Sequence, residues 1–547
     1  MLYSIVSIVK EGVAMKQRLS IFLVKKGIID HNHILDLDRM KRAIPLDIPD
    51  TESYIYIHQP KPAKYPDWVN YIVSSQSNVS YEDFSKCQSE TAVIVLSMDG
   101  YIFLMTFGGG HHKVKKDSIE RDFGLRVTLN SVDPDKLKSL DKSNYQDTPL
   151  NTRNQSAKEV DISSLNIDSE LEILSTLTGK SNVEIFGEIV TGKDSLTIVP
   201  PLGINSIRSI LDEALKKFKS KLPKEFEWID NISKVKDKTL CEVLELELDD
   251  YLIDEHKNED FWIGEPELVD WSVQIGYVIG RVSSRAPIHQ TLSFDVLKDY
   301  IGSTGQTLSC DSLKRTNIHI IKDNETTFDS WSAYNCLYAE VTSNDELYIL
   351  RNGTWYTVNV DFVASVDRSL KSITPYDIEL PLYNHEREDQ YNKFVCESLD
   401  DCLILDKKLI HHGGRGSKFE FADVLRKGSE FIHVKYYRSS STLSHLFAQA
   451  YVSLELFVSD SGFRAKLNKL LPDEIKLTDV NKRPDTQKFV VIYAIAINRA
   501  IPNKLPLFSK ITLKNTVRSL ENLGFTIKIA QIKVDPTLEK LKKFKSK

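Results

Sequence analysis

The sequence has few cysteines and no paired cysteine motif. Its 547 residues include six cysteines, and no two of them have the C-x-x-C spacing of a zinc site or redox pair. This scatter argues against a disulfide framework and favours a reducing compartment, so we predict a cytoplasmic protein. Residues 1–14 lack the basic leader and apolar run of a signal peptide. We expect them to be an extension before a true start at Met15.

Long hydrophobic runs and an excess of positive charge are also missing. No stretch approaches the roughly 20 apolar residues of a transmembrane helix, so we expect no membrane contact. Lysine and arginine total 71 against 77 acidic residues, which gives a net charge of −6. Any surface that binds nucleic acid must therefore be a local patch.

The length predicts several domains, because single cores rarely grow beyond about 250–300 residues. The polar stretch 131–161 interrupts the apolar pattern and is interpreted as a boundary or an extended insertion. We predict an N-terminal α+β domain over 1–165, a middle α+β domain over 166–375 and a C-terminal domain over 376–547. Alternating acidic and apolar residues at 240–252 predict a strand with a negative outer face.

Two glycine-containing segments have part of a phosphate-binding pattern. Residues 187–194 fit GxxxxGK, but an aspartate follows the lysine where Mg²⁺ binding needs Ser or Thr, so we reject nucleotide hydrolysis. The second segment follows a predicted hairpin at 92–107 and joins three glycines to Lys113, Lys115 and Lys116. It is a candidate nucleic-acid contact, and a flexible polar loop is the alternative.

The ionisable residues with the clearest chemical meaning lie between residues 386 and 457. The periodicity of this region and its continuation predicts alternating helices and strands of one sheet. In chain order these are a helix at 386–399, strands at 402–406, 419–425 and 431–437, a helix at 441–457, and strands at 489–497 and 525–532.

Carboxylates and a lysine occupy these elements in the arrangement that a metal-dependent nuclease needs. Phosphodiester cleavage uses a divalent cation to polarise the phosphate and a lysine to stabilise charge or orient water. Asp423 precedes the third strand, where His433 and Lys435 share one face because side chains alternate along a strand. Glu388 on the first helix and Glu420 on the second strand are further carboxylates.

These residues define a predicted site for Mg²⁺ or Mn²⁺. The predicted ligands are Asp423, Glu388, Glu420 and His433. The imidazole favours Mn²⁺ or a softer ion, or a site that binds DNA without cutting it. Glu420 and Asp423 have opposite strand parity, so both can be ligands only if a bulge intervenes. The structural alternative makes Asp423 a turn residue, Lys435 a solvated charge and His433 a core residue.

Phosphate contacts are expected near the start of the second helix. Gln449 lies one turn beyond His445, so both face the same site. Ser439, Ser440 and Ser441 precede or begin this helix, whose N-terminus favours phosphate. The full predicted catalytic set is Glu388, Asp423, His433, Lys435 and Gln449.

The same segment carries two resemblances. An aspartate, an HxK strand and a glutamine on the next helix resemble the PD-(D/E)XK nuclease superfamily, with His433 in place of its usual glutamate. The second resemblance, to a sporadically distributed bacterial family of uncharacterised function, rests on Tyr391-Asn392, Leu405-Asp406-Lys407, FEFAD (419–423), HVK (433–435) and SSTLSHLFAQ (440–449). That resemblance covers nearly the whole chain from Met15. Many members of the family lie near phage-defence genes, which implies a defence role but no particular reaction.

These patterns and resemblances together predict a mixed α/β protein with a restriction-endonuclease-like C-terminal domain. The expected function is metal-dependent cleavage of nucleic acid, with DNA as the expected substrate, in bacterial antiphage defence. Two alternatives stay open. One is a non-catalytic DNA-binding sensor, and the other is a scaffold subunit that associates with defence proteins or with itself.

Overall fold

The computed structural model divides the chain into two compact units. The first comprises residues 1–143 and 152–228, and the second comprises 144–151 and 229–547. The residues described are 16–59, 62–88, 90–144, 151–201, 203–253, 261–266, 274–283, 286–322, 327–413, 418–437 and 440–538. Within these ranges, no helix has both the length and the apolar character needed to cross a membrane.

The first unit is built on one large sheet. Its strands are β1 (Leu19–Leu23), β2 (Ile44–Leu46), β3 (Glu52–Ile57), β4 (Ala92–Met98), β5 (Tyr101–Phe107), β6 (Val132–Asn144), β7 (Asn151–Val160), β8 (Glu172–Ser181), β9 (Ile189–Gly192) and β10 (Leu196–Ile198). Its α-helices are α1 (His31–Ile34), α2 (Asp67–Val73), α3 (Phe123–Leu129) and α4 (Ile207–Lys219). The strand order is β2-β3-β4-β5-β1-β10-β9-β8-β6-β7. The predicted hairpin at 92–107 is confirmed as β4 and β5.

The polar stretch 131–161 is a correction to the sequence analysis, which interpreted it as a boundary or insertion. Most of it forms β6 and β7, at one end of the sheet. Val132, Leu137 and Leu140 are buried, so a few widely spaced apolar side chains attach this otherwise polar segment to the core. Their spacing was too sparse to show a regular period.

The second unit contains the remaining elements. Its strands are β11 (Ile232–Lys234), β12 (Phe261–Ile263), β13 (Gln274–Ile279), β14 (Asn317–Lys322), β15 (Thr327–Ser332), β16 (Leu337–Ser343), β17 (Glu346–Arg351), β18 (Thr354–Val358), β19 (Thr374–Pro375), β20 (Cys402–Ile404), β21 (Ile410–His411), β22 (Lys418–Phe419), β23 (Val424–Arg426), β24 (Glu430–Tyr436), β25 (Val490–Ala496) and β26 (Thr526–Ile532). Its α-helices are α5 (Lys238–Ile253), α6 (Phe294–Ser303), α7 (Cys310–Arg315), α8 (Ala333–Cys336), α9 (Val360–Leu370), α10 (Glu388–Ser398), α11 (Ser440–Ser459), α12 (Ser461–Asn468) and α13 (Leu507–Asn522).

Two antiparallel sheets occupy the first part of this unit, in the orders β11-β18-β17-β16-β12 and β13-β14-β15. Helix α5 packs in their shared core and replaces the strand predicted at 240–252. Leu244, Leu248 and Leu252 are buried one turn apart, whereas Leu246 is 68% exposed. A four-residue spacing fits a helical face as well as an alternating strand, and here burial follows the helix.

A mixed sheet in the order β19-β26-β25-β24-β23-β20 forms the C-terminal part. Strand β24 pairs antiparallel with β23 and parallel with β25. On one face, Tyr391 and Val395 of α10 share a core with Ile432 and Val434 of β24. Helix α11 also packs against β24. The mixed α/β class predicted from the sequence is confirmed.

One predicted strand of this sheet is wrong. Residues 419–425 do not form a continuous strand but divide into β22, which pairs with β21 in a separate sheet, and β23. The residues between these two strands include Glu420 and Asp423. Because these residues are not part of a strand, their side chains need not point to opposite faces of a sheet.

Candidate metal centre

The candidate site lies where β23 and β24 separate. These strands form three residue pairs. Beyond the last pair, Asp423 Oδ2 accepts a hydrogen bond from Val434 N at 2.7 Å. Glu388, at the start of α10, accepts one from Tyr436 N through Oε1 at 3.2 Å. Two carboxylates therefore satisfy amides of β24 that a neighbouring strand would otherwise bind.

Three carboxylates meet beside this opening. One oxygen from each of Asp406, Glu420 and Asp423 lies within 4.8 Å of the others. Asp406 follows β20, and its backbone N–H donates to Asp423 O at 2.9 Å. Because the segment between β22 and β23 is not a strand, the parity argument against a joint role for Glu420 and Asp423 does not apply.

Amide groups hold two of these carboxylates in place. Asn392 Nδ2 donates to Asp406 Oδ2 at 3.1 Å, and Gln449 Nε2 donates to Glu420 Oε2 at 3.1 Å. Glu420 Oε1 also accepts a hydrogen bond from Lys407 N. Asn392 is fully buried, and its Oδ1 has no hydrogen-bond partner in the part of the chain that the structure describes. A buried oxygen in this position could accept a hydrogen bond from a water molecule or coordinate a cation.

The acidic group favours a bound proton or cation. Burial of its carboxylate raises the pKa of Asp423 well above the usual value, against the lowering effect of the Val434 hydrogen bond, and the charges of Glu420 and Asp406 raise it further. Burial is also the main cause of the raised pKa of Glu420, to which the charge of Asp406 contributes. A divalent cation would remove this repulsion, and carboxylate oxygens are the ligands that Mg²⁺ and Mn²⁺ prefer.

Lys435, on the same strand as Val434, pairs with a carboxylate outside this group. Its Nζ forms an ion pair with Glu388 Oε2 at 2.9 Å, and the two side chains are 25% and 32% exposed. Glu388 is not one of the three clustered carboxylates, because its oxygens bind Lys435 and Tyr436 N. It is nevertheless close enough for its charge to raise the pKa of Asp423.

His433 lies on the same strand but among aromatic side chains. It is 4% exposed, and its ring centroid is 6.2 Å from that of Tyr493. Burial lowers its pKa to about 4, so the imidazole is neutral near pH 7. Its Nε2 has no hydrogen-bond partner among the residues described. The structure does not place it with the three carboxylates.

The predicted phosphate contacts near α11 are described only in part. His445 is exposed on this helix, one turn before Gln449. Ser439 lies outside the described residues. Ser440 and Ser441 begin α11, but their side chains are not among those described.

The predicted basic contacts belong to the first unit. Lys113 forms an ion pair with Asp36 at 2.7 Å. Lys115 Nζ donates to Asn32 O at 2.7 Å. Lys116 is exposed in a short 3₁₀ turn. Two of the three lysines therefore have local partners within their own unit.

Sequence reasoning missed two residues of the cluster, Asp406 and Asn392. Asp406 was the last residue of a predicted strand, and a carboxylate at a strand end is a recognisable position for a metal ligand. Asn392 carried no comparable signal, because an asparagine inside a helix is compatible with many environments. Its significance comes from its burial and its contact with Asp406.

Comparisons with known proteins place the chain in a family. Neither the curated proteins nor the solved structures give a match. A family model described as a family of unknown function, DUF6119, matches residues 19–533. That span includes every described residue of the candidate metal centre, from Glu388 to Gln449. The chain therefore belongs to the DUF6119 family.

Proposed function

We propose that this protein is a metal-dependent nuclease in which Asp406, Glu420 and Asp423 bind Mg²⁺ or Mn²⁺. The observation that carries the proposal is the convergence of three partly buried carboxylates at the edge of β24, the strand that carries Lys435. The unpaired Oδ1 of Asn392 supports it independently, because a buried oxygen acceptor needs a partner.

Each residue of the site would have a separate role in cleavage. The bound cation supplies Lewis acidity toward the phosphate and lowers the pKa of a water molecule. Asn392 and Gln449 orient the carboxylates through hydrogen bonds to Asp406 and Glu420. Lys435 donates to the phosphate oxygens as negative charge develops there, and this requires it to exchange Glu388 for the substrate.

The order of the elements supports phosphodiester hydrolysis rather than another metal-dependent reaction. Helix α10, strands β20, β23 and β24, helix α11 and strand β25 come in this order along the chain, with β21, β22 and α12 interspersed, and β24 and β25 are parallel. An acidic residue before β24 and Lys435 within it match the PD-(D/E)XK pattern that the sequence resembles. The oxygen-only ligand group gives no reason to prefer a softer ion, since it does not include His433.

A cleavage assay tests the proposal. Supercoiled plasmid, single-stranded DNA and RNA are incubated with wild-type protein and Mg²⁺, Mn²⁺ or EDTA. We expect cation-dependent cleavage that falls about a hundredfold or more in Asp423→Asn and Lys435→Ala. The matched control is Glu397→Gln, an exposed acidic residue on α10 outside the cluster. Equal cleavage by the wild type and both site variants would contradict the proposal.

The biological setting and the nucleic acid rest on the family resemblance. We propose bacterial antiphage defence with DNA as the substrate, in association with other defence proteins or a second copy. Cells that express the wild type should resist phage infection, and cells that express Asp423→Asn should plate phage as well as cells without the protein. Equal protection by both proteins would separate any defence role from the metal centre.

One observation favours a second candidate, a non-catalytic DNA-binding sensor. The Lys435–Glu388 ion pair neutralises the lysine that catalysis needs. A sensor would bind DNA with a salt-dependent affinity, without cleavage under any of the cation conditions. A protein that neither binds nor cleaves nucleic acid would instead fit a scaffold.

A further inference from the structure

A cavity in the second unit has the size of a small-molecule site. It is open to solvent, with a volume of about 470 Å³, and lies at the end of the β13-β14-β15 sheet, beside the C-terminal end of α6. Small-molecule pockets typically measure about 300–1,000 Å³. None of its lining residues belongs to the candidate metal centre. The cavity is therefore distinct from the candidate metal centre.

A histidine with an unpaired nitrogen lines this cavity. His319 lies on β14, the central strand of the three, and its neighbours Ile318 and Ile320 are buried in the core on the other face. His319 Nδ1 is inaccessible to solvent and has no hydrogen-bond partner among the residues described. Because this nitrogen is enclosed by the protein, the histidine contributes its ring, and not this atom, to the cavity wall.

The charged side chains around the cavity are positive. Arg281 and Arg315 line it, and none of the described lining residues is an aspartate or glutamate. Arg315 contacts Asp311 at 3.4 Å, but both side chains are at least three-quarters exposed, so this ion pair holds the guanidinium weakly. Arg281 has no ion-pair partner within the described ranges. Two available guanidinium groups are suited to a phosphate, which they bind through paired hydrogen bonds.

The rest of the wall has room and apolar surface for more than a phosphate. Tyr300 and Val282 contribute an aromatic ring and an aliphatic side chain. Gly280 has a φ of +78°, and a Cβ at this position would overlap Tyr300 Oη. The glycine therefore allows the tyrosine to close against the end of β13. Aromatic rings are the usual stacking partners of nucleobases.

We propose that this cavity binds a nucleoside monophosphate. Arg281 and Arg315 bind the phosphate, and Tyr300 packs against the base. This site is additional to the proposed nuclease centre and does not depend on it, because binding here requires neither the cation nor cleavage.

Calorimetric titration of the full-length protein tests the site. The probes are AMP, GMP, CMP and UMP, with adenosine and inorganic phosphate as partial ligands. EDTA and an Asp423→Asn background remove any contribution from the metal centre. We expect at least one mononucleotide to bind, and to bind at least about tenfold more tightly than either partial ligand, because both halves of the cavity contribute.

Variants then locate the binding. The double variant Arg281→Ala and Arg315→Ala should weaken it about tenfold or more, and Gln306→Glu, an exposed lining position, should weaken it by repulsion. Arg368→Ala, an exposed arginine on α9 outside the cavity, should leave it unchanged. The proposal is overturned if no mononucleotide binds, if phosphate alone binds as tightly as the nucleotide, or if the lining variants bind like Arg368→Ala.

Discussion

The two edges of β24 show how one strand serves both a core and a candidate site. Along one edge, β24 pairs with β25 through seven residues, from Glu430↔Val490 to Tyr436↔Ala496. Along the other edge, it pairs with β23 through three. Backbone groups satisfy the amides on the first edge, whereas the carboxylates of Asp423 and Glu388 satisfy two amides on the second.

The difference shows where charged side chains can be accommodated inside this domain. Strand β25 is apolar and buried along most of its length, and all seven of its residues pair with β24. The shortened β23 leaves amides that carboxylates can bind, so the cost of burying those carboxylates is partly offset by hydrogen bonds. The short pairing of β23 with β24 thus allows acidic side chains to gather at one edge of the sheet.

The largest predicted effect concerns the fully paired edge. Ile492→Ala on β25 removes a completely buried side chain and should lower the free energy of unfolding by about 3 kcal/mol. Denaturant unfolding would measure this loss, provided that the free energy of unfolding depends equally steeply on denaturant concentration in both proteins. A loss of less than about 1 kcal/mol would show that this edge is not a tightly packed core.

The low pKa of His433 predicts a smaller effect, which is a dependence of stability on pH. Its folded pKa is lowered to about 4, so only the unfolded chain gains a proton as the pH falls from about 6.5 toward 4. Stability from this residue is present at high pH and is lost through that window, by roughly 2 kcal/mol between about pH 7 and about pH 5.

His433→Phe should remove that loss without weakening Mn²⁺ binding. Unfolding and Mn²⁺ titrations of both proteins, at both pH values, provide the measurement. If the variant lost Mn²⁺ affinity, His433 would be a ligand after all, and the comparison between the edges would need to be revised.

At the edge of β24 beside β23, Asp423 predicts the opposite dependence of stability on pH. The raised pKa of Asp423 means that the folded protein holds a proton that the unfolded chain releases, so rising pH destabilises the wild type relative to Asp423→Asn. The His433 contribution cancels in this difference. At high pH, Mn²⁺ should restore the stability of the wild type and have little effect on the stability of the variant. Thermal unfolding with and without the ion would detect this difference. Parallel pH profiles in the absence of metal would contradict this account.

The smallest predicted effect is at Glu388. Glu388→Gln keeps an acceptor for Tyr436 N but removes the charge that pairs with Lys435, so it should cost about 1 kcal/mol of stability. The same change frees Lys435 and tests whether the ion pair restrains it. Under the nuclease proposal, DNA affinity should rise, whereas unchanged affinity would place Lys435 away from the phosphate.

The element order in the C-terminal part could be predicted from the sequence, because its strands and helices have clear periods and lengths. The grouping of Glu420 with Asp423 could only be suggested, since it depends on a break in the strand that no Gly or Pro marks. The strand predicted at 240–252 failed because leucines four residues apart satisfy both periods. Asn392 could not be identified, because the unpaired state of its oxygen depends on contacts between distant segments.

Under the proposed function, the Asp423 side chain acts both as a metal ligand and as the acceptor of the hydrogen bond from Val434 N. Only replacements that preserve a side-chain oxygen can abolish cation binding while leaving this amide satisfied. Relatives that have lost the chemistry should therefore retain asparagine here more readily than alanine. An amide at this position would then be a mark of an inactive descendant that still folds.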